Sequence, residues 1–101
     1  MDLINTIIDR IVTAYNPDKV ILFGSYAYGT PTTDSDIDIC VVKAIDKPRR
    51  RIQAELTLLL ADIGTPVDII AVQPDELKVL PSVNHVKYDI MTKGILAYER
   101  T

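Results

Sequence analysis

The sequence predicts a two-layer α/β (α+β) sandwich, a small mixed β-sheet with helices packed on one face. Three observations predict it. Helically spaced apolar segments and short β-rich apolar runs follow one another in the order α, β, β, α, β, α, α, β. Prolines and glycines fall between these segments, where they stop one element and open the next. The chain has 101 residues, 48% hydrophobic and 25% charged, the size and balance of one domain over residues 1–101.

Residues 2–16 place Leu3, Ile4, Ile7, Ile8, Ile11, Val12 and Tyr15 on one helical stripe, and Pro17 ends the helix. Lys19 to Phe23 is a short β-rich run that leads directly into Gly24-Ser25. Ser25 to Gly29 fits one helical turn, and Thr30-Pro31-Thr32-Thr33 reads as a loop. Ile37 to Val42 is the second strand, and Ala44 to Lys47 a connector. Pro48 opens a helix that Gly64 closes, with Ile52, Leu56, Leu59, Leu60 and Ile63 on its buried face. Pro66 precedes the third strand, Val67 to Val72. Pro74-Asp75-Glu76 starts a short helix that Pro81 stops. Ser82 caps a further helix through Lys93, Gly94 ends it, and Ile95 to Glu99 is the last strand.

Several function classes are excluded at this level. No stretch approaches the roughly 20 apolar residues that span a bilayer. Met1-Asp2-Leu3 lacks the basic start of a signal peptide, so a cytoplasmic protein is expected. Cys40 is the one cysteine and His85 the one histidine, too few for a disulfide or a zinc site. A net charge of −3 provides no basic track for a long nucleic acid.

The chemistry-bearing residues lie between Gly24 and Asp68. A glycine after a strand lets a phosphate approach the backbone, and Ser25 opens a helical turn whose free N–H groups attract anions. Asp36 and Asp38 stand two apart at a strand start, so both carboxylates point to one face, about 7 Å apart. Like charges there repel unless a divalent cation lies between them, and hard oxygen ligands suit Mg²⁺. Asp68 interrupts the apolar run of the third strand, where an aspartate is unfavourable unless paired or cation-bound. If that strand neighbours the second, three carboxylates share one site, the ligand set of two-metal chemistry. Each feature alone also occurs as a plain turn or a solvated strand end.

Together, Gly24-Ser25, ten intervening residues, Asp36-x-Asp38 and a later Asp68 resemble the DNA polymerase β-like nucleotidyltransferase superfamily, and within it the stand-alone minimal nucleotidyltransferases. The resemblance covers nearly the whole chain, through Lys93-Gly94-Ile95-Leu96-Ala97-Tyr98-Glu99-Arg100. It implies the polymerase β-like fold, Asp36, Asp38 and Asp68 as catalytic, metal-binding residues for two Mg²⁺, and Gly24 and Ser25 as the phosphate site. It implies AMP transfer from ATP to a hydroxyl, tyrosine in the family's antitoxins, which pair with HEPN-domain toxins. Hetero-oligomer and homodimer both stay open. The chain departs from the family's Gly-Ser-Arg-Ala-Arg-Gly, because Tyr26 and Tyr28 replace two arginines and tyrosine cannot supply a cationic fork. Two other functions remain: a binding module that neutralises a partner by contact, and a small-molecule nucleotidyltransferase. The second usually carries an added acceptor domain. Arg49-Arg50-Arg51 reads as a solvated face or a patch for an acidic partner. Cys40 reads as a packed thiol. Asp34 and Ser35 read as turn residues.

Overall fold

The computed structural model describes residues 2–29, 36–44, 46–77 and 94–100. The elements are α1 (Asp2–Tyr15), β1 (Lys19–Phe23), α2 (Ser25–Tyr28), β2 (Ile37–Val42), α3 (Arg49–Leu59), β3 (Val67–Val72), a 3-10 turn (Pro74–Leu77) and β4 (Ile95–Glu99). The expected Thr30–Thr33 loop, the turn residues Asp34 and Ser35, the Ser82–Lys93 helix and His85 lie outside the described residues.

The four strands form one mixed sheet in the order β3-β2-β1-β4. β1 is antiparallel to both β2 and β4, whereas β2 and β3 run parallel. The parallel pair requires a crossover, and α3 provides it. Backbone bonds extend that pair at both ends, Ile37 N–H to the Pro66 carbonyl at 3.0 Å and Lys43 N–H to that of Val72 at 2.9 Å. β3 is an edge strand. Its Ala71 N–H donates to the Gln53 side chain of α3 at 3.0 Å, which satisfies one backbone group at the open edge.

Period-two alternation sorts the strand residues onto two faces. Val20, Leu22, Ile37, Ile39, Val41, Ile69 and Ala71 pack against Ile4, Ile7, Ile8 and Ile11 of α1 and Ile52, Leu56 and Leu60 from α3 and its cap. The described helices therefore share one face, as the sequence predicts. Each fully buried isoleucine or leucine there contributes about 1.5–3 kcal/mol. The opposite face is also buried. Ile21, Phe23, Cys40, Val42 and Val72 form a second apolar cluster there, and the Cys40 thiol is packed within it.

Two helix ends differ from the expected pattern. α1 stops at Tyr15 because Asn16 takes a left-handed φ of 45° while its N–H still bonds the Val12 carbonyl. α3 ends at Leu59, before Gly64. Leu60 N–H is shared between the Leu56 and Thr57 carbonyls, and Ala61 and Ile63 continue with tighter i→i−3 bonds. Gly64, with φ 86°, then turns the chain toward β3. Among the described residues no helix is long and apolar enough to cross a membrane.

Candidate active site

β1 delivers its C-terminal end to the place where β2 and β3 begin. Phe23 pairs with Asp38, and Asp38 pairs with Asp68 across the parallel ladder. Residues paired in register point to the same face, so both aspartates project beside the second apolar cluster. Asp36 immediately precedes β2, two residues from Asp38 and in phase with it. The structure thus brings the three predicted acids to one end of the sheet, on adjacent strands.

Their electrostatics follow from the proximity. The Asp38 carboxyl is pushed above its ordinary value, first by burial and then by the charges of Asp68 and Asp36. That of Asp68 is also raised, by lost solvation, by the Asp36 charge and by a hydrogen bond with the Asp36 side chain. Asp38 and Asp68, each raised in part by neighbouring carboxylate charge, form with Asp36 a hard-oxygen donor set suited to a divalent cation. Among the described residues they do not close into a ready-made three-ligand cage. The donor chemistry fits Mg²⁺, and a bound cation would replace the mutual repulsion with attraction.

Gly24 has a second role that the sequence does not reveal. Its φ is +75°, and a Cβ built there would lie 2.0 Å from Asp38 Oδ2. The Asp38 carboxylate therefore occupies the space that any side chain at position 24 would need. Glycine is required here by backbone conformation and by close approach together. The signal was present as a glycine at a strand end, but only the β1–β2 register shows which side chain it accommodates.

Ser25 is the first residue of α2, so Gly24-Ser25 forms the expected strand-to-helix junction at the same end of the sheet. Tyr26 is half-buried and packs against the α1/α3 core, as does Ala27. At the first position where the resemblance leads to an arginine being expected, this chain directs an aromatic ring into the protein. Arg49, Arg50 and Arg51 open α3, near the C-terminal end of β2 and away from the three acids. Arg51 Nε donates to Glu55 Oε2 at 3.2 Å.

Sequence reasoning missed a cavity of about 420 Å³ between the end of α3 and the start of β3, with Asp68 at its boundary. Its other residues carry no motif, so no sequence signal could have found it.

Carboxylates on adjacent strands, beside a glycine turn that opens a helix, match the arrangement expected from the sequence for a nucleotidyltransferase site. The chain belongs to the polymerase β nucleotidyltransferase family, whose model matches residues 5–101. It is 35% identical over 88 residues to a protein of Methanocaldococcus jannaschii described as a protein adenylyltransferase. That match covers 81% of this chain and 58% of the relative, so the chain spans little more than half of that protein's length. Its fold is similar to that of one chain in a crystal structure of a mutant toxin–antitoxin complex, MntA–HpeT, with a TM-score of 0.69 and 27% identity over 96% of this chain and 72% of the other. A toxin–antitoxin complex crystallised with AMP-PNP gives a TM-score of 0.61 and 26% identity over 96% and 73%.

Proposed function

We propose that this protein transfers AMP from ATP to a hydroxyl, that of a tyrosine, on a partner protein, and that it is the cytoplasmic antitoxin of a HEPN-type toxin. The observation that carries the proposal is the register that sets Asp38 beside Asp68 and against Gly24. The relative described as a protein adenylyltransferase supports a protein acceptor, and the two toxin–antitoxin complexes support the partner.

Asp36, Asp38 and Asp68 would hold two Mg²⁺, which when bound neutralise the triphosphate and lower the pKa of the acceptor hydroxyl. Gly24 and Ser25 bind the β- and γ-phosphates. Asp68 orients the acceptor hydroxyl and takes its proton. The acceptor oxygen bonds to the α-phosphorus in line, the bond to the β-phosphate breaks, and pyrophosphate leaves with that electron pair. Rate enhancement comes from positioning and electrostatics. Labelled ATP, Mg²⁺ and the copurifying partner test the assignment: label should enter the partner with the wild-type protein and not with Asp36→Asn. Undiminished transfer by Asp36→Asn removes the assignment.

A second reading is favoured by one observation. Tyr26 packs into the core at the position where the resemblance implies an arginine, and a tyrosine there supplies no cationic grip on a triphosphate. A protein that neutralises its partner by contact alone would tolerate this change. Intact mass of the partner after incubation with ATP separates the two, because only the enzyme adds AMP.

A further inference from the structure

Charge is unevenly spread along this chain. Residues 43–55 hold five of its 11 lysines and arginines, Lys43, Lys47, Arg49, Arg50 and Arg51, against two acids, Asp46 and Glu55. That segment carries +3 in a chain of net charge −3, so the remainder stands at −6.

The arginine run does not serve the helix it opens. A helix start already bears partial positive charge, so three cations there are locally unfavourable. The first turn of α3 holds no acid, and Pro48 supplies no capping side chain. Arg51 reaches Glu55 with the cation on the N-terminal side, the weaker orientation of such a pair. Glu55 also takes Lys47, so one carboxylate faces two cations. Among the described residues Lys43 and Arg50 have no acidic partner. Arg49, Arg50 and Arg51 are all exposed.

The run also sits away from the catalytic acids. Gln53, one turn beyond Arg49, accepts from the Ala71 N–H near the end of β3. Asp38 and Asp68 stand toward the start of β2 and β3, and strands of six residues span about 20 Å. A partner held at the arginines therefore leaves the acids open. Protein carboxylates fit this surface better than nucleic acid does. Single strands need aromatic faces beside the cations. The Tyr15 ring, which lies here, is covered by Lys47 at 5.8 Å, and its hydroxyl is bonded to Glu55. A duplex needs a longer track of cations, and the negative remainder of the chain repels phosphate. Exposed guanidinium forks can each take a carboxylate through two hydrogen bonds.

We propose that the surface formed by Lys43, Arg49, Arg50 and Arg51 docks an acidic segment of the partner protein, which rests on the reading above only for the existence of a protein partner. Charge steers that segment to the far end of the sheet while the acceptor side chain reaches the acids.

Two measurements test the proposal. In the first, the dissociation constant for the copurified partner is measured at about 50 and about 300 mM NaCl, because salt screens exposed charges. The wild type should bind more weakly at the higher salt. Arg49→Glu with Arg50→Glu should weaken binding about tenfold at the lower salt and flatten the salt dependence. Arg49→Lys with Arg50→Lys should keep most of the affinity. Unchanged affinity on charge reversal, or an equal loss on the lysine exchange, overturns the proposal. In AMP transfer, charge reversal should raise KM for the partner and leave kcat unchanged; a fall in kcat alone overturns the proposal. In the second, fluorescein-labelled decaglutamate and decauridylate are titrated onto the partner-free protein. Saturable binding of the peptide, lost on charge reversal, is expected. No binding of the peptide, or tighter binding of the RNA, overturns the proposal. Self-association that charge reversal abolishes also overturns it, because the surface then belongs to a second copy of this chain. Charge-dependent partner binding by a wild-type protein that transfers no AMP would sink the enzymatic reading and leave the docking surface standing.

Discussion

Asp38 and Gly24 form a pair in which the glycine exists for the aspartate. Gly24→Ala would place a methyl group 2.0 Å from Asp38 Oδ2 and strain a backbone at φ +75°. Stability should fall by more than about 1 kcal/mol in urea unfolding, and AMP transfer by roughly a hundredfold as the carboxylate is displaced. Asp68 behaves in the opposite sense. Its folded proton affinity is above the ordinary value. The stability linked to it is therefore present at acid pH and lost as pH rises through the folded value. At neutral pH the charged cluster destabilises the cation-free protein. Asp68→Asn should raise the melting temperature slightly without Mg²⁺, weaken the upward shift that Mg²⁺ gives the wild type, and abolish transfer. The three acids were legible in the sequence because period two and an apolar surround expose them. The contact between Gly24 and Asp38 was not, because it depends on inter-strand register.

At the scale of elements, the helices are tied together by one carboxylate. Glu55 of α3 accepts from the Tyr15 hydroxyl of α1, from Lys47 Nζ at 2.8 Å and from Arg51 Nε at 3.2 Å. The Lys47 and Tyr15 hydrogen bonds lead in holding its carboxyl down at about 2, while burial and the Glu55 bond push the Tyr15 hydroxyl up to about 12. Glu55 stabilises the fold above its ordinary value of 4.5, and that contribution fades as pH falls toward about 2. The Tyr15 contribution is complete below 10.0 and fades as pH rises toward about 12. Thermal melts of Glu55→Gln across these windows should be flatter than those of the wild type in both. Leu56, fully buried on the same helix, should cost about 2–5 kcal/mol on change to alanine, measured by denaturant unfolding. Helix and strand identities followed from apolar periodicity and from proline and glycine positions. The end of α3 did not, because tightened bonds at Leu60 and Ala61 close the helix before Gly64. The Tyr15–Glu55 bond joins residues 40 apart, beyond any local pattern.

In the whole molecule, the sheet separates chemistry from support. Asp36, Asp38, Asp68 and Gly24 gather at one end, and the arginines that open α3 lie toward the other. The sequence showed one helix-covered face, and the structure adds a second buried cluster behind the acids. Alternation alone could not decide whether Ile21, Phe23 and Cys40 were covered, because strand residues on the second face look alike whether they are packed or solvated. The cavity between the end of α3 and the start of β3 was equally illegible, since Thr57, Ala61 and Thr65 have no distinctive spacing. The acids stand where β2 meets the edge strand β3, and the proposed acceptor, carried by another protein, would reach them there. The central claim is that these three acids move AMP onto such a partner. The most direct measurement is the intact mass of the copurified partner after incubation with ATP and Mg²⁺, beside an Asp36→Asn, Asp38→Asn control. A gain of one or more AMP units with the wild type and none with the control is predicted. An unchanged partner mass, with the complex intact and the partner still neutralised, would contradict it.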